Sequence, residues 1–266
     1  MPDAPVVIKI GGSALAPGAE TGTLWRAVAA VAESRPVAVV HGGGPLVDRR
    51  LAERGFVSDK IDGIRATPEQ HLSTVVGALA GEMNAQITAK LIGDGVRAVG
   101  MALGAALNVR INPDPRLGSV GAIGGGDGGA VPTLLGAGFV PVLSSIGIGI
   151  SGAILNVNAD DAAVGLAGAL RADSVWLLSD VPGVLDESGR PMPRLTIGDI
   201  ERLIDEGTVS GGMCAKIRAA ARAAEATGAR VVIASWSDPR LADGVGEIGT
   251  SIEPSGTPSA TTGASA

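Results

Sequence analysis

Two lysines beside glycine turns are the residues of this sequence best placed to act on an anion. Lys9 lies inside an apolar run that ends in Gly11-Gly12, and Lys216 follows Gly211-Gly212 at the start of an alanine-rich segment. A charge within a run of Val and Ile is costly unless it is paired or directed at a ligand, and the N–H groups of such turns can face an anion. The alternative for Lys9 is structural, with its side chain extending from the strand end into water.

A third glycine turn and one aspartate complete this set of residues. His41-Gly42-Gly43-Gly44 joins an apolar run to a helix opened by Pro45, which places backbone donors at a helix N-terminus. Asp160 falls near the start of another helix, where it is either the N-cap or a partner for the lysines. Phosphoryl transfer needs residues of these types, because the protein mainly positions the reactants and neutralises charge on the moving group.

Other common catalytic chemistries find no support in the motifs. The chain has no Gly-x4-Gly-Lys-Ser/Thr loop, its histidines lack metal-ligand spacing, and neither Cys214 nor any serine lies in a known nucleophile motif. Residues 147–152 match a dinucleotide fingerprint, but a β-like run follows where a helix is required, so they predict a hairpin turn. The single cysteine excludes an internal disulfide and suits a reducing compartment.

Short β-branched runs alternate with longer alanine-rich segments, which predicts an α/β fold with a mainly parallel sheet. The strands are expected at 6–10, 37–40, 139–143, 174–178 and 231–234, with one or two more within 96–110. The helices are expected at 23–33, 46–54, 68–91, 160–170 and 197–206, with a last one opened by the stretch 210–216 and running to about 227.

The segments between these elements predict the domain organisation. Thr67 and Pro68 are expected to cap and start the third helix. Residues 112–129 are expected to form a loop, in which the glycine run 124–129 is a flexible surface loop or lid. A second lobe is expected from residue 173, giving lobes at 1–172 and 173–252, and the low-complexity tail 253–266 is expected to be disordered.

Composition limits the classes of partner. The chain has 266 residues, of which 45% are hydrophobic, a formal net charge of -6 and a pI near 5.0. It lacks a basic block, which argues against nucleic-acid binding. Residues 128–159 carry no charge, but their prolines, glycines and asparagines favour strands and turns over a membrane helix. The first residues lack the features of a signal peptide, so a cytoplasmic location is expected.

The motifs occur in an order that resembles the acetylglutamate kinases, a branch of the amino-acid kinase family. The matching pieces are Lys9-Ile10-Gly11-Gly12, His41-Gly42-Gly43-Gly44, Gly63-Ile64-Arg65-Ala66-Thr67, Asn156-Val157-Asn158-Ala159-Asp160, Ser179-Asp180-Val181-Pro182-Gly183-Val184 and Gly212-Met213-Cys214-Ala215-Lys216. The first motif is common to most of the wider family. The arginine loop and the Asn-x-Asn-Ala-Asp run point to this branch.

The resemblance implies a three-layer α/β/α sandwich in two lobes and the ATP-dependent phosphorylation of the side-chain carboxylate of N-acetyl-L-glutamate in arginine biosynthesis. It implies a catalytic group formed by Lys9, Lys216, Asp160 and Gly12. Substrate contacts would come from Gly43, Gly44, Arg65, Asn156 and Asn158, with Arg65 and Asn156 holding the α-carboxylate end. Nucleotide contacts would come from Gly11, Ser179, Asp180, Val181, Val184, Val209, Ser210, Gly211 and Met213. Mg²⁺ would be carried mainly by phosphates and water, and Gly211 departs from relatives that have aspartate there.

Two other functions remain open at this point. One is a sister kinase that phosphorylates aminoadipate attached to a carrier protein, which would differ mainly around the arginine loop. The other is a catalytically silent amino-acid or nucleotide sensor on the same fold, since a fold does not by itself determine function. The presence of Lys9, Asp160 and Lys216 together argues against the sensor.

The assembly is expected to be a homodimer built on the helix around residues 75–85, because its apolar surface exceeds what one sheet face covers. The alternative is a monomer in which the loop 112–129 covers this helix. The resemblance also implies that arginine-inhibited members carry an extra N-terminal helix, whereas residues 1–5 are too few to form one. We therefore expect no inhibition by arginine.

Overall fold

Eight strands form the central sheet of the computed structural model, which describes residues 4–16, 18–19, 21–210, 212–243 and 248–254. The tail 255–266 and Gly211 thus lie outside the described residues. The strands are β1 (Val6–Ile10), β2 (Val37–His41), β3 (Lys60–Ile61), β4 (Ile64–Arg65), β5 (Ala98–Ala102), β6 (Val109–Ile111), β7 (Val120–Ile123), β8 (Val140–Ser144), β9 (Ile146–Ile148), β10 (Ile154–Val157), β11 (Ser174–Ser179), β12 (Arg194–Leu195), β13 (Arg230–Ser235) and β14 (Thr250–Ile252).

The central sheet has the order β12-β14-β13-β11-β1-β2-β8-β5. Its strands from β13 to β5 pair in parallel, while β14 pairs antiparallel to β13. The expected mainly parallel sheet is therefore confirmed. β1 lies inside the sheet and forms ladders with both β2 and β11 along its whole length.

Helices cover both faces of this sheet. In β1, Val7 faces one hydrophobic core, whereas Val6, Ile8 and Ile10 face the other, as the two-residue period of a strand requires. The expected three-layer arrangement is thus confirmed. The helices are α1 (Gly22–Ser34), α2 (Gly44–Ala52), α3 (Glu69–Val76), α4 (Asn84–Gly93), α5 (Val131–Gly136), α6 (Ala159–Leu170), α7 (Ile197–Asp205) and α8 (Gly212–Thr227), with a π-helical segment at Gly77–Met83 and 3₁₀ turns at Gly12–Leu15, Leu103–Ala105, Pro115–Leu117 and Pro239–Asp243.

A smaller sheet of order β6-β7-β10-β9 lies beside the central one. β9 and β10 pair antiparallel, and the N–H of Gly149 donates to the carbonyl of Ala153, so the predicted hairpin at 147–152 is confirmed. The expectation of a structureless loop at 112–129 is wrong, because β7 and a 3₁₀ turn occupy its middle. Its glycine run packs against the segment around Asn108, whose N–H donates to Gly125 and whose carbonyl accepts from Gly124.

The long helix predicted at 68–91 is continuous but changes its hydrogen-bond pattern at Gly77–Met83, where it becomes π-helical. Its large apolar side chains, such as Leu79 and Met83, are buried within the chain. The outer face carries the small residues Ser73, Gly77, Gly81 and Ala85. The expected excess of apolar surface on this helix is therefore wrong, because the chain itself covers the large side chains.

Two predicted helix caps also differ in the structure. Asn158, with extended backbone, is the N-cap of α6, and its side-chain oxygen accepts from the N–H groups of Asp160 and Asp161. Asp160 is therefore not the cap, and its carboxylate is available for another partner. Thr67 likewise does not cap α3, because its hydroxyl donates to the carbonyl of Arg65.

In the described part of the chain, no helix is long and apolar enough to cross a membrane.

Candidate active site

The two predicted catalytic lysines meet at the carboxyl ends of neighbouring parallel strands. Lys9 comes from β1, and its Nζ lies 2.9 Å from Oδ1 of Asp160 in the first turn of α6. Lys216 comes from α8, and its Nζ donates to Oγ of Ser179 at the end of β11, at 2.9 Å. This edge is where ligands bind in open α/β sheets. The fold thus brings together side chains that are separated by more than 150 positions.

The neighbouring charged groups act on Lys216. The pKa of Lys216 is lowered first by burial and then by the positive charge of Lys9. The carboxylates of Asp160 and Asp180 oppose this shift and favour the charged lysine. Two ammonium groups with two nearby carboxylates form a site where an incoming polyanion relieves repulsion between the cations.

The glycine turns are only partly free to bind an anion. The N–H of Gly11 donates to the carbonyl of Leu178 at 3.1 Å, and that of Gly42 donates to Ile10 at 3.3 Å. The expectation that each N–H of these turns faces an anion is therefore wrong for Gly11 and Gly42. No described residue accepts from the N–H groups of Gly43 and Gly44, which stand at the start of α2. These two donors match the predicted substrate contacts.

A buried histidine, His41, supports the third glycine turn. Nδ1 of His41 lies 2.8 Å from the carbonyl oxygen of Gly42, and its Nε2 lies 3.0 Å from Nδ2 of Asn84. Because an amide Nδ2 can only donate, we assign the histidine proton to Nδ1. Burial lowers the pKa of His41 to about 4, against the effect of its hydrogen bond to Gly42. The ring is therefore neutral at pH 7 and acts as a fixed support for the turn.

A pocket next to this turn contains the predicted substrate-binding residues. Its lining includes Gly43, Gly44, Arg65, Asn156 and Asn158. The amide of Asn156 donates to Oγ1 of the buried Thr67 at 3.0 Å, which fixes the orientation of that amide. All five predicted substrate residues therefore surround one cavity, although their sequence positions span more than 100 residues.

Arg65 is the less exposed of the two cations that line this pocket, the other being Lys60. Its side chain is only 9% exposed, and its guanidinium bonds Asp48 and Ser58 as well as the carbonyl of Gly44. The motifs did not indicate Asp48, Ser58, Lys60 or Ser145, of which the last two also line the pocket. Asp48 was open to prediction, since it follows Gly44 by four residues and so lies on the same face of α2.

The predicted nucleotide-binding residues lie in two turns near Lys216. Asp180 and Ser210 are exposed, whereas Val181 and Met213 are partly buried. Val184 is fully buried, and its N–H donates to Oγ1 of Thr250 at 2.7 Å. Val209 is also buried, and its carbonyl accepts from Sγ of Cys214. Val184 and Val209 therefore support these turns by packing, and the nucleotide contacts of this group remain predictions.

Comparison with known proteins decides the family. The family model described as "Amino acid kinase family" matches residues 4–235. The chain belongs to the amino acid kinase family. It is 41% identical over 240 residues to an acetylglutamate kinase of Vibrio campbellii, covering 89% of this chain and 90% of the relative. It is 41% identical over 254 residues to an acetylglutamate kinase of Aeromonas salmonicida, covering 93% and 97%.

A solved structure supports the same family fold. The crystal structure of smu.665 from Streptococcus mutans UA159 superposes with a TM-score of 0.77 at 26% identity, covering 94% of this chain and 98% of that one. The resemblance inferred from the motifs is thus confirmed for the family and its fold. Membership of the amino acid kinase family also agrees with a site built from lysines and backbone donors, which are suited to phosphoryl transfer.

Proposed function

We propose that the protein transfers the γ-phosphoryl group of ATP to the side-chain carboxylate of N-acetyl-L-glutamate, giving N-acetyl-L-glutamyl 5-phosphate and ADP in arginine biosynthesis. The observation that carries this proposal is the pairing of Lys9 with Asp160, next to Lys216 and beside a pocket that contains Arg65. Relatives that share 41% of their residues with the chain carry the name of this activity. Neither the carrier-linked kinase nor the silent sensor is favoured by these relatives.

The chemistry requires positioning and charge neutralisation and no general base. A side-chain carboxylate is already ionised at pH 7, so one of its oxygens attacks the γ-phosphorus directly. A bond forms between that oxygen and phosphorus, and the bond from phosphorus to the bridging oxygen breaks, with its electron pair leaving on ADP. Lys9 and Lys216 would neutralise charge on the moving group, and Gly12 begins the 3₁₀ turn that follows β1.

Asp160 would orient the two lysines. Its carboxylate contacts Nζ of Lys9 and also stabilises the charged form of Lys216. It lies in the first turn of α6, where a helix dipole favours a negative charge. It would therefore orient both ammonium groups without itself taking part in proton transfer.

The acylated amino acid would occupy the pocket at the start of α2. Arg65 would bind its α-carboxylate, with Asn156 beside it, and the N–H groups of Gly43 and Gly44 would bind the side-chain carboxylate. Asn158, which also lines the pocket, would contribute less directly because its oxygen already caps α6.

The nucleotide would lie across the turns at 179–184 and 209–213, with Gly11 beneath the phosphates and Asp180 near Lys216. Mg²⁺ would arrive with ATP and be held mainly by phosphate oxygens and water. Within the described residues, no group of three or more metal-ligating side chains is assembled. A metal carried by phosphates does not need such a group, so the donor set fits this arrangement.

The larger organisation is proposed from the expected lobes and from the small residues exposed on the helical segment 69–93. Residues 1–172 would form the lobe that binds the acylated amino acid, and residues 173–252 the lobe that binds the nucleotide, in a cytoplasmic homodimer. The small side chains at Gly77, Gly81 and Ala85 would let a second copy approach the helix closely. Light scattering tests this assembly, and a monomeric mass would contradict it.

An assay of ADP release tests the function. Purified protein is given Mg²⁺-ATP with N-acetylglutamate, glutamate, aspartate or carbamate in separate reactions. We expect turnover with N-acetylglutamate to exceed that with each other acceptor. Lys9→Met should abolish it, while Lys90→Met, which removes an exposed lysine on α4, should not. Absence of turnover with N-acetylglutamate, or equal turnover with glutamate, would contradict the proposal.

A further inference from the structure

Arg65 lines the pocket with a guanidinium that has little access to water. Its side chain is 9% exposed, and its only carboxylate partner within the described residues is Asp48 on α2. A buried guanidinium is costly unless an anion and several hydrogen bonds compensate for lost hydration. Asp48 therefore provides the charge partner that keeps Arg65 in this position before any ligand binds.

The contacts of Arg65 distinguish the two edges of its guanidinium. Nη1 donates to Asp48 and to Ser58, so both of its hydrogens have acceptors. Nη2 donates to the carbonyl of Gly44 at 3.2 Å, which uses one of its two hydrogens. No described residue accepts from Nε. Nε thus keeps its hydrogen and Nη2 keeps one of its two, and these are the donors that remain for a substrate carboxylate.

We propose that Asp48 is a positioning residue, which occupies the Nη1 end of Arg65 and so presents the Nε–Nη2 edge to the substrate carboxylate. The inference rests on the proposed function, in which Arg65 binds the α-carboxylate of the acylated amino acid. Without Asp48, Ser58 alone orients Nη1, and the guanidinium can rotate so that a carboxylate meets a different edge. Bidentate binding depends on that orientation, and a shift of about 1 Å at a recognition site costs up to roughly 100-fold.

Asp48 also has an opposing effect, because its negative charge repels a substrate carboxylate. Its side chain is 45% exposed, so water and salt screen this repulsion. Asp48 contacts the guanidinium of Arg65 directly, and the Arg65 side chain is only 9% exposed. We therefore expect the orienting effect to exceed the repulsion, and the sign of the change in affinity distinguishes them.

The test measures binding and turnover of N-acetylglutamate with the Asp48→Asn variant, which keeps the shape and removes the charge. We expect its Kd and KM for N-acetylglutamate to rise roughly 10-fold, while kcat and the KM for ATP change by less than about twofold. Glu53→Gln is the matched control, since Glu53 ends the same helix and pairs with Arg50 away from the pocket. It should leave all of these constants unchanged. Ser58→Ala, which removes the other acceptor of Nη1, should change Kd in the same direction but less.

A second arm separates orientation of Arg65 from a general effect on the fold. In an Arg65→Lys background, Asp48→Asn should change Kd by less than about twofold, because there is no guanidinium edge left to orient. An equal rise in both backgrounds, an unchanged Kd in Asp48→Asn or a fall in Kd would overturn the inference. If Asp48→Asn does not fold, the same comparison with Ser58→Ala decides. Failure of the wild-type protein to bind N-acetylglutamate would instead contradict the proposed function, and the inference with it.

Discussion

Gly43 offers a sharp test of how the glycine turn serves the substrate pocket. A Cβ built on Gly43 would lie 2.8 Å from Cδ2 of Leu79, and 3.6 and 3.7 Å from Cγ and Cε of Met83. Carbon atoms pack at about 3.5–4.0 Å, so Gly43→Ala creates an overlap of about 0.7 Å or more with Leu79. The φ of Gly43 is 162°, which lies outside the left-handed region that favours glycine. The effect of the substitution therefore comes from contact rather than from backbone strain.

The size of the effect follows from which partner moves. Leu79 is 4% exposed and belongs to the hydrophobic core, so it has little room to change rotamer. The turn then moves by about 0.7 Å, together with the N–H groups of Gly43 and Gly44. Displacements of this order at a recognition site cost roughly 10- to 100-fold. Overpacking should also lower the free energy of unfolding by about 1–3 kcal/mol.

The assay compares the KM for N-acetylglutamate with the KM for ATP, alongside the thermal midpoint. Gly43→Ala should raise the KM for N-acetylglutamate at least about 10-fold and change the KM for ATP by less than about twofold. Gly93→Ala is the control, because its Cβ meets no atom within 4 Å at the end of α4. It should leave both KM values unchanged and raise stability by up to about 1 kcal/mol.

A compensating substitution shows whether the overlap is the cause. Leu79→Val removes the Cδ atoms, at a cost of about 1 kcal/mol in stability. The double variant Gly43→Ala/Leu79→Val should recover most of the lost affinity for N-acetylglutamate. Gly43→Ala with a normal KM, or a double variant as impaired as Gly43→Ala alone, would refute this reasoning.

Three further predictions concern the charged residues. Lys9→Arg and Lys216→Arg should each lower kcat roughly 100-fold or more while thermal midpoints stay normal, because a guanidinium does not replace a compact ammonium; near-normal turnover would exclude the role. Arg65→Lys should raise the KM for N-acetylglutamate far more than that for ATP, and Asp180→Ala should do the reverse; equal effects would contradict the two binding sites. Activity that needs charged Lys216 should fall as pH rises through its lowered pKa, so the alkaline limb of kcat/KM lies below the ordinary lysine value. Asp180→Asn removes a charge that raises this pKa, so it should move that limb to lower pH, and an unmoved limb would assign it to another group.

The parallel strands of the central sheet and most helices could be predicted, because their signals are local. β1 was predicted at its observed bounds, since a buried parallel strand is a continuous β-branched run that ends at glycine. β14, with three residues, and β7 could not be predicted in this way. Both are held in place by pairing with other strands, β14 with β12 and β13 and β7 with β6 and β10, and neither sequence carries a strong signal alone.

The residues of the site could be predicted from the sequence, but the contacts that hold them in place could not. Asn158 and Asp160 can both cap a helix, and only the extended backbone at Asn158 decides between them. The resemblance implied that Val184 meets a nucleotide, yet tertiary packing buries its side chain completely. Partners such as Asp48 act through contacts between separate elements, and no motif records those contacts.

The position of β1 inside the central sheet has a mechanical consequence. β1 forms backbone ladders with β2 on one side and β11 on the other, so the two predicted lobes share one strand in place of a flexible linker. A hinge between β1 and β2 or between β1 and β11 would have to break several ladder hydrogen bonds at once. Motion that closes the site must therefore come from the turns above the strand ends or from twisting of the sheet. The central sheet would thus align ATP and N-acetylglutamate with little movement of its own, and Lys9 would keep a fixed position between them.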